Sequence, residues 1–291
     1  MTTVAVLGPG AVGGVFAVPL AGAGVRVVCV ARPATAEAIR REGLTVVRRG
    51  EELHARPEAV DELDEEVDVL LVTVKAPYLD DALERIGAEP AVVVPLLNGI
   101  EHVHRIRALL GGRTVAASVG RLQAYRESPT SVAQMTRAPV VTLAGNGELA
   151  RLFEAAGAEV RVGRDEGTVL WEKAARLAPL AAATSLTRQP VGELRIDPEW
   201  RGRLQAAVAE ACAVAAADGA PLDPADEWAI IEAMPPDLTT STARDVAAGR
   251  LSELDAITGA VVRAARRLEV DAPALEQLLV EAEERCQPSL R

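Results

Sequence analysis

The feature that most constrains the fold of this chain is a glycine-rich turn close to its start. Residues 8–13 are Gly-Pro-Gly-Ala-Val-Gly, which is the spacing G-x-G-x-x-G. The turn follows an apolar run, Val4–Leu7, and opens a helical pattern that extends from Ala11 to Gly22. A second apolar run, Val25–Val30, completes the order strand, turn, helix, strand, which is a βαβ unit. The chain therefore begins by building a parallel sheet.

Each glycine of this turn has a physical task in a dinucleotide-binding site. Gly8 allows the tight turn, Gly10 lets a pyrophosphate approach the backbone, and Gly13 lets the helix pack closely on the strand. Backbone N–H groups at the start of the helix, around Ala11 and Val12, then face the phosphate charge. A purely structural glycine turn is the alternative, and the flanking strand and helix favour the dinucleotide site.

Strands and helices continue to alternate through the first half of the chain. Apolar runs predict strands at Leu44–Arg48, Val67–Val74, Ala91–Leu97 and Thr114–Ser118, with one or two more within Val132–Ala144. Helical patterns lie between them at Ala34–Glu42, Leu79–Ile86 and His102–Leu110. We expect an α/β domain with a Rossmann-type, doubly wound and mostly parallel sheet.

The pattern changes near residues 163–167, after which helical periodicity dominates. Helices are predicted at Thr168–Ser185, Trp200–Asp218, Pro224–Met234, Leu251–Leu268 and Ala272–Glu284. A chain of 291 residues also exceeds the size of most single cores. The expected organisation is a nucleotide-binding domain over residues 1–164 and an all-α domain over residues 165–291.

Composition and charge exclude several classes of function. The formal net charge of −11 repels a phosphate-coated partner, so we expect no nucleic acid. The three cysteines are far apart and the histidines lack suitable neighbours, so neither disulfides nor a metal site are expected. The N-terminus has no basic leader and no apolar run approaches about 18 residues, which predicts a cytoplasmic protein without a membrane span. Helical domains with Ala-rich faces often pair, which suggests a homodimer.

The end of the second strand bears on the choice between NAD and NADP. An acidic residue usually stands there in NAD-binding proteins, where it binds the ribose 2′-hydroxyl. Here the strand ends in Ala31-Arg32-Pro33, and the guanidinium of Arg32 can pair with a 2′-phosphate instead. This pattern predicts NADP, and an exposed arginine without a ligand is the alternative.

Two polar residues end later strands, at the edge where ligands bind in a doubly wound sheet. Lys75 follows the strand that begins at Val67, and Asn98 follows the strand that begins at Ala91. Both are therefore candidates for contact with cofactor or substrate. A polar loop residue that caps a turn is the alternative for each, since Asn98-Gly99 is itself a turn signal.

The helical half contains candidate catalytic groups for which a structural role is the simpler explanation. Lys173 lies early in an Ala-rich helix, where apolar surroundings can lower the pKa of a lysine and make it a general acid. A snorkelling surface lysine fits the sequence better. The hydroxyls around Ser241 can bind a carboxylate. Glu253 and Asp255 can act in catalysis, or can simply cap and charge the start of a helix.

The order and spacing of these motifs resemble the ketopantoate reductase family. The matching segments are GPGAVGG at residues 8–14, VKAP at 74–77, LLNGIE at 96–101, WEKAARLAP at 171–179 and STARDVAAGRLSELDAITG at 241–259. The resemblance runs through nearly the whole chain. It implies NADPH-dependent reduction of a 2-oxo acid, with 2-dehydropantoate converted to pantoate for pantothenate synthesis.

The resemblance also implies roles for the cofactor candidates. Gly8, Gly10 and Gly13 would hold the pyrophosphate, and Arg32 would meet the 2′-phosphate. Lys75 would line the crevice for cofactor and substrate.

A second set of implied roles concerns the substrate. Asn98 would contact nicotinamide or substrate, and Ser241 would hold the substrate carboxylate. Lys173 would protonate the carbonyl oxygen as hydride arrives, because a nearby ammonium stabilises and neutralises the alkoxide charge. Glu253 would orient Lys173 or the substrate.

The chain departs from the family pattern beside the catalytic lysine. Asparagines usually follow that lysine by four and eight residues and contact polar groups of the substrate, whereas this chain has Leu177 and Ala181. A buried substrate hydroxyl without a partner costs about 1–3 kcal/mol. A related reductase acting on a more apolar 2-oxo acid or an imine, in specialised metabolism, is therefore the alternative. A non-enzymatic NADP-binding protein is a second alternative.

Overall fold

The protein is described by a computed structural model that covers residues 2–111, 113–145 and 147–286. The chain forms two compact units. The first comprises the chain up to Leu97 together with His102–Val169, and the second comprises Asn98–Glu101 together with the chain from Leu170 onward. A boundary placed on the linear sequence at residue 164 leaves Asn98–Glu101 with the first unit, whereas the contacts of this segment place it in the second.

The described part of the first unit contains thirteen strands, β1–β13, and five helices, α1–α5. The strands are Thr3–Leu7, Arg26–Val30, Leu44–Arg48, Glu51–Ala55, Glu58–Val60, Val69–Val72, Val92–Pro95, Arg113–Thr114, Ala117–Gly120, Ala124–Ser128, Ser131–Gln134, Val140–Ala144 and Glu159–Gly163. The helices are Ala11–Gly22, Pro33–Glu42, Leu79–Leu83, His102–Leu110 and Ala150–Ala155, and a 3-10 turn spans Ala76–Tyr78.

The largest sheet is six-stranded and entirely parallel, with the order β5-β2-β1-β6-β7-β8. When these six strands are numbered only by their order along the chain, the sheet has the order 3-2-1-4-5-6. That is the strand order of the dinucleotide-binding Rossmann fold. The expectation of a Rossmann-type sheet is therefore confirmed.

The apolar character of β1 follows from burial on both faces of this sheet. Val4 and Val6 belong to the core that contains Phe16 of α1, whereas Ala5 and Leu7 belong to a separate core on alternate positions of the strand. Because neither face meets solvent, the strand has a continuous apolar run rather than an alternating one.

Two smaller sheets, ordered β10-β11-β3-β4 and β13-β12-β9, mix parallel and antiparallel pairs. The single strand predicted at Thr114–Ser118 is wrong, because this stretch divides between β8 in the parallel sheet and β9 in the three-stranded sheet. The apolar stretch Val132–Ala144 also divides into two strands of different sheets, and Pro139, which has no N–H for a ladder, lies between them. Strands β4 and β10 escaped prediction because they carry exposed polar side chains such as Glu51 and Arg126.

Helices build the second unit, as expected. The described elements are α6–α12 at Glu166–Thr187, Val191–Ile196, Pro198–Ala217, Pro224–Glu232, Ser241–Ala247, Ala260–Arg267 and Pro273–Cys286, with a π-helical turn at Asp255–Gly259. The helix predicted from Leu251 begins only at Asp255, where the π-helical turn leads directly into α11. Helices α7 and α10 escaped prediction because they have only six and seven residues.

The long helix α6 carries Lys173, and its residues from Leu170 onward belong to the second unit. Six of its buried residues are alanines, including Ala178 and Ala181, which allow other segments to approach its backbone closely. The Thr258 hydroxyl donates a 2.8 Å hydrogen bond to the carbonyl of Ala178 and so attaches the π-helical turn to α6. This contact places the chain around Glu253 beside the helix that carries Lys173.

Candidate active site

The glycine-rich turn is held in a conformation that larger residues would disrupt. Gly8 has a φ of +85°, and a Cβ atom there would lie 2.5 Å from Cγ1 of Val74. A Cβ atom on Gly13 would lie 2.5 Å from both the carbonyl oxygen of Gly8 and the hydroxyl of Thr73. Both glycines are therefore required by close packing of the turn, α1 and the end of β6.

Thr73, at the end of β6, supports this turn, and the sequence motifs do not reveal it. Its buried hydroxyl lies 2.7 Å from the carbonyl oxygen of Gly8 and 3.0 Å from that of Leu7, and it donates to these carbonyls. The Thr73 N–H donates to Leu7 as well, at 2.9 Å. Thr73 therefore connects the end of β6 to the end of β1 and fixes the turn from below.

The space next to Gly10 is open, in contrast to the space next to Gly8 and Gly13. A Cβ atom on Gly10 would meet a single atom within 4 Å, the carbonyl oxygen of Gly8 at 3.9 Å. Among the residues described, no side chain caps α1, and Ala11 and Val12 in its first turn are partly exposed. A partly exposed glycine followed by N–H groups without a side-chain cap fits the pyrophosphate of a dinucleotide.

Arg32 and Lys75 follow the carboxyl ends of β2 and β6, the two strands that flank β1. Arg32 is exposed, and its guanidinium lies 5.1 Å from the centre of the Tyr78 ring. Lys75 is half-buried and immediately precedes the 3-10 turn that contains Tyr78. The sheet thus brings Gly8, Arg32 and Lys75 to one edge.

In the second unit, the surroundings of Lys173 change the pKa of its amine. Part of its surface remains accessible, yet burial among protein atoms lowers the pKa of its amine to about 8, from an ordinary value of 10.5. The carboxylate of Glu253 opposes this shift, and the positive charge of Arg176 adds to it. Arg176 itself pairs with the buried carboxylate of Glu227. Lys173 is therefore not a freely solvated surface lysine.

Glu253 is buried and close to Asn98. The Asn98 amide donates a long hydrogen bond of 3.5 Å to Oε2 of Glu253. The turn at Asn98 is held tightly, since Gly99 has a φ of +91° and a Cβ atom there would lie 2.2 Å from the carbonyl oxygen of Ala256. Lys173, Glu253 and Asn98 therefore form one electrostatically coupled group.

An ion-pair network fixes the segment that carries Asn98. Arg263 of α11 donates to both carboxylate oxygens of Glu101, at 3.0 and 2.7 Å, and to Asp255 at 2.6 Å. Asp255 of the π-helical turn therefore has a structural partner in Arg263 of α11. The network joins the Asn98–Glu101 segment to α11.

Ser241 is the first residue of α10, and its hydroxyl does not cap that helix. The cap is Thr240, which accepts from the N–H of Ala243 at 3.1 Å and contacts the hydroxyl of Thr184 on α6 at 2.8 Å. Within the described part of the chain no side chain hydrogen-bonds to the partly exposed hydroxyl of Ser241.

Leu177 and Ala181 differ in their exposure on α6. Ala181 is fully buried, whereas Leu177 is half-buried and retains accessible surface. Leu177 follows Lys173 by about one helical turn and therefore lies on the same side of α6. An apolar surface thus adjoins the lysine on this side.

Neither metals nor a bilayer has an evident site in the residues described. These residues contain no cluster of three or more His, Cys, Asp or Glu side chains able to hold a metal ion. None of the described helices combines the length and the apolar character needed to cross a bilayer.

Comparison with known proteins places this architecture in a family. The model named Ketopantoate reductase PanE/ApbA matches residues 4–147, and the model of its C-terminal region matches residues 165–284. A 2-dehydropantoate 2-reductase of Caulobacter vibrioides is 33% identical over 277 residues, which cover 90% of this chain and 92% of that protein.

Solved structures agree with this assignment. The PanE/ApbA family ketopantoate reductase from Ralstonia eutropha JMP134 has a TM-score of 0.87 at 29% identity, with 98% of each chain covered. The ternary structure of D-mandelate dehydrogenase with NADH and anilino(oxo)acetate has the same fold, with a TM-score of 0.88 at 23% identity and 98% of each chain covered. Since the family models match most of the chain and the curated relative matches nine-tenths of it, this protein belongs to the ketopantoate reductase family of oxidoreductases.

Proposed function

We propose that this protein reduces 2-dehydropantoate to pantoate with NADPH, and so serves pantothenate biosynthesis. The observation that carries the proposal is the group formed by Lys173, Glu253 and Asn98, in which burial lowers the pKa of the lysine to about 8. A 2-oxo acid reductase needs such a proton donor at the carbonyl oxygen. The names of the relatives in this family support 2-dehydropantoate as the substrate.

The residues of the first unit fit the cofactor. The open approach at Gly10 and the uncapped start of α1 suit a pyrophosphate, and the guanidinium of Arg32 suits a 2′-phosphate. Lys75, at the same sheet edge, adds positive charge next to these groups. When bound, the reduced nicotinamide supplies the hydride that the reaction requires.

Lys173 provides the proton in this mechanism. Its ammonium is the predominant form below a pH of about 8, and desolvation makes it a better donor than an ordinary lysine. It gives the proton to the carbonyl oxygen, where negative charge develops as the carbon becomes a secondary alcohol. Glu253 holds the proton on Lys173 before the reaction, because its charge raises the pKa that burial lowers.

Two further residues orient the substrate. The hydroxyl of Ser241, with no partner among the described side chains, is available for the substrate carboxylate. The amide of Asn98 hydrogen-bonds to Glu253 over a long distance, which leaves it able to contact the substrate or the nicotinamide. Both roles follow from the family resemblance.

A second candidate is a reductase of a more apolar 2-oxo acid. The accessible surface of Leu177 favours it, since this side chain cannot hydrogen-bond to a substrate hydroxyl. D-mandelate dehydrogenase has the same fold, and phenylglyoxylate is the 2-oxo acid that corresponds to mandelate. An imine substrate belongs to the same alternative.

The decisive experiment measures NADPH oxidation with 2-dehydropantoate and with phenylglyoxylate under identical conditions. A higher kcat/KM for 2-dehydropantoate supports the proposal, and the reverse order supports the apolar alternative. Lys173→Met is the control, because turnover that survives this change does not come from the proposed site. Tight NADPH binding without turnover of any 2-oxo acid would favour a non-enzymatic NADP-binding protein.

A further inference from the structure

We propose that Arg126 forms, together with Arg32, the subsite that binds the 2′-phosphate of NADPH. Arg126 belongs to β10 of the four-stranded sheet, far in sequence from the glycine-rich turn and from β2. This inference rests on the NADPH dependence proposed above. It assigns cofactor selectivity to a second arginine that lies outside the nucleotide-binding motif.

Arg126 is fixed beside the segment that carries Arg32. Its Nη2 donates to the hydroxyl of Thr35 at 3.1 Å, and the N–H of Thr35 donates to the carbonyl of Arg32 at 2.8 Å. A second contact holds the same hairpin to the other end of α2, since the Thr130 hydroxyl donates to Glu42 at 3.0 Å. The β10–β11 hairpin is therefore attached along α2 at two points.

Arg32 and Arg126 place two positive charges close together, and among the described residues no carboxylate pairs with either of them. The charge of Arg32 adds to burial in lowering the pKa of Arg126, so the two guanidinium groups interact electrostatically. Neither arginine has an ion-pair partner within the described residues. Arg26 of the same unit shows the usual arrangement, since it pairs with Glu58 and Glu65. Two adjacent cations without a counter-charge favour an anionic ligand.

Both guanidinium groups keep donors for such a ligand. An arginine has five N–H donors, and Arg126 uses two of its groups, on the Thr35 hydroxyl and on the carbonyl of Ser128 at 3.2 Å. The guanidinium of Arg32 lies over the Tyr78 ring, which restricts its position and leaves its edge available. A phosphate monoester carries a charge of about −1.5 to −2 near neutral pH, and its oxygens can accept hydrogen bonds from both guanidinium groups.

The position of the pair identifies the anion. Arg32 follows β2, where this fold reads the ribose 2′ position of a dinucleotide. The pyrophosphate is bound elsewhere, at the glycine-rich turn. A phosphate that meets both Arg32 and Arg126 is therefore the 2′-phosphate, which NADPH has and NADH lacks.

The test is a binding titration of NADPH and NADH to the full chain, followed by nucleotide fluorescence and without substrate. The variants are Arg126→Met, Arg126→Lys and the control Arg151→Met. Arg151 is exposed on α5 of the same unit and has no ion pair within the described residues, so its loss also removes one positive charge. Adenosine 2′,5′-bisphosphate and 5′-AMP, used as competitors, isolate the contribution of the 2′-phosphate.

We expect Arg126→Met to weaken NADPH and adenosine 2′,5′-bisphosphate about tenfold or more, and to change NADH and 5′-AMP less than twofold. Arg126→Lys should lose part of this selectivity, because it keeps the charge and loses the fork. Unchanged NADH affinity also shows that the variant folds. Equal loss for both dinucleotides, or the same effect in Arg151→Met, would overturn the role of Arg126. If the unaltered protein shows no preference for NADPH, the proposed NADPH dependence itself fails.

Discussion

The two units present their candidate chemistry in different ways. In the first unit, Gly8, Gly10 and Gly13 lie within one turn, and their spacing between a strand and a helix predicts how the backbone would meet a phosphate. In the second unit, Asn98 and Glu253 are 155 positions apart in the sequence and meet only through helix packing. The geometry of a local motif can therefore be predicted from the sequence, whereas the properties of a cluster of distant residues depend on the fold.

One of the two lysines of the chain, Lys75, lies in the first unit, and the other, Lys173, lies in the second. Lys75 and Lys173 are the only lysines among 31 basic residues, and arginine supplies the other 29. A guanidinium stays protonated under all ordinary conditions, whereas burial can bring the pKa of an amine close to neutrality. We therefore expect the two lysines to stand where proton transfer or a compact charge is needed.

The largest expected effect comes from exchanging each lysine for arginine. Lys173→Arg should lower kcat about 10²–10⁴-fold, because a guanidinium cannot release a proton to the substrate near neutral pH. Lys75→Arg keeps the positive charge and should retain activity to within about tenfold, if Lys75 acts only as a cation. Steady-state NADPH oxidation, with the Kd of NADPH measured beside it, checks both. A Lys173→Arg enzyme with normal kcat would remove the general acid from the proposed mechanism.

Much of the first unit could be predicted from the sequence, for reasons that this pair of regions makes clear. Helices Ala11–Gly22 and His102–Leu110 and strand Leu44–Arg48 have the bounds that their patterns predict. A strand such as Arg113–Thr114 has too few residues to show a period, so the sheet to which it belongs is settled only by tertiary pairing.

The residues of the candidate site could be named from the sequence, but their burial and their electrostatic surroundings could not be predicted. Lys173 could be named from the resemblance, yet its sequence neighbours suggest a surface lysine. Its low pKa arises from burial and from the charge of Arg176, against the opposing charge of Glu253. Thr73 and Arg126 carry no motif at all. Their contacts with Gly8 and Thr35 cross 65 and 91 positions of the sequence, which no local pattern records.

The next effect tests whether the first region depends on close packing as its motif implies. Gly13→Ala should destabilise the protein by about 1–3 kcal/mol and weaken NADPH binding, because the added methyl group meets the Gly8 carbonyl and the Thr73 hydroxyl. Gly22→Ala in the same helix is the matched control, since nothing lies within 4 Å of its Cβ position. It should be neutral or stabilise by up to about 1 kcal/mol. Chemical denaturation measures both, and equal stabilities would contradict the packing argument.

A smaller effect concerns the apolar side of α6. Leu177→Asn restores an amide at the partly exposed position that follows Lys173 by one turn, and it should raise the preference for 2-dehydropantoate over phenylglyoxylate by about tenfold. Leu251→Asn is the control, because this leucine is 57% exposed and lies outside the proposed site. The measurement is the ratio of kcat/KM for the two substrates. An unchanged ratio in Leu177→Asn would show that this side chain does not face the substrate.

The smallest predicted effect is a shift along the pH axis, and it tests whether the second region works as a coupled group. Lysines labelled with ¹³C at Cε give only two side-chain signals in this chain, and Lys75→Arg identifies the one that belongs to Lys173. We expect Lys173 to titrate with a pKa of about 8, and turnover to fall as pH rises through that value, because the proton donor is then lost.

Glu253→Gln removes the charge that raises this pKa, so both the titration and the fall in turnover should move to lower pH. If the Lys173 signal still titrates at the ordinary lysine value of 10.5, desolvation does not lower its pKa, and Lys173 is no better a proton donor than an exposed amine. If turnover shifts in Glu253→Gln while the Lys173 titration does not, Glu253 contacts the substrate rather than the lysine.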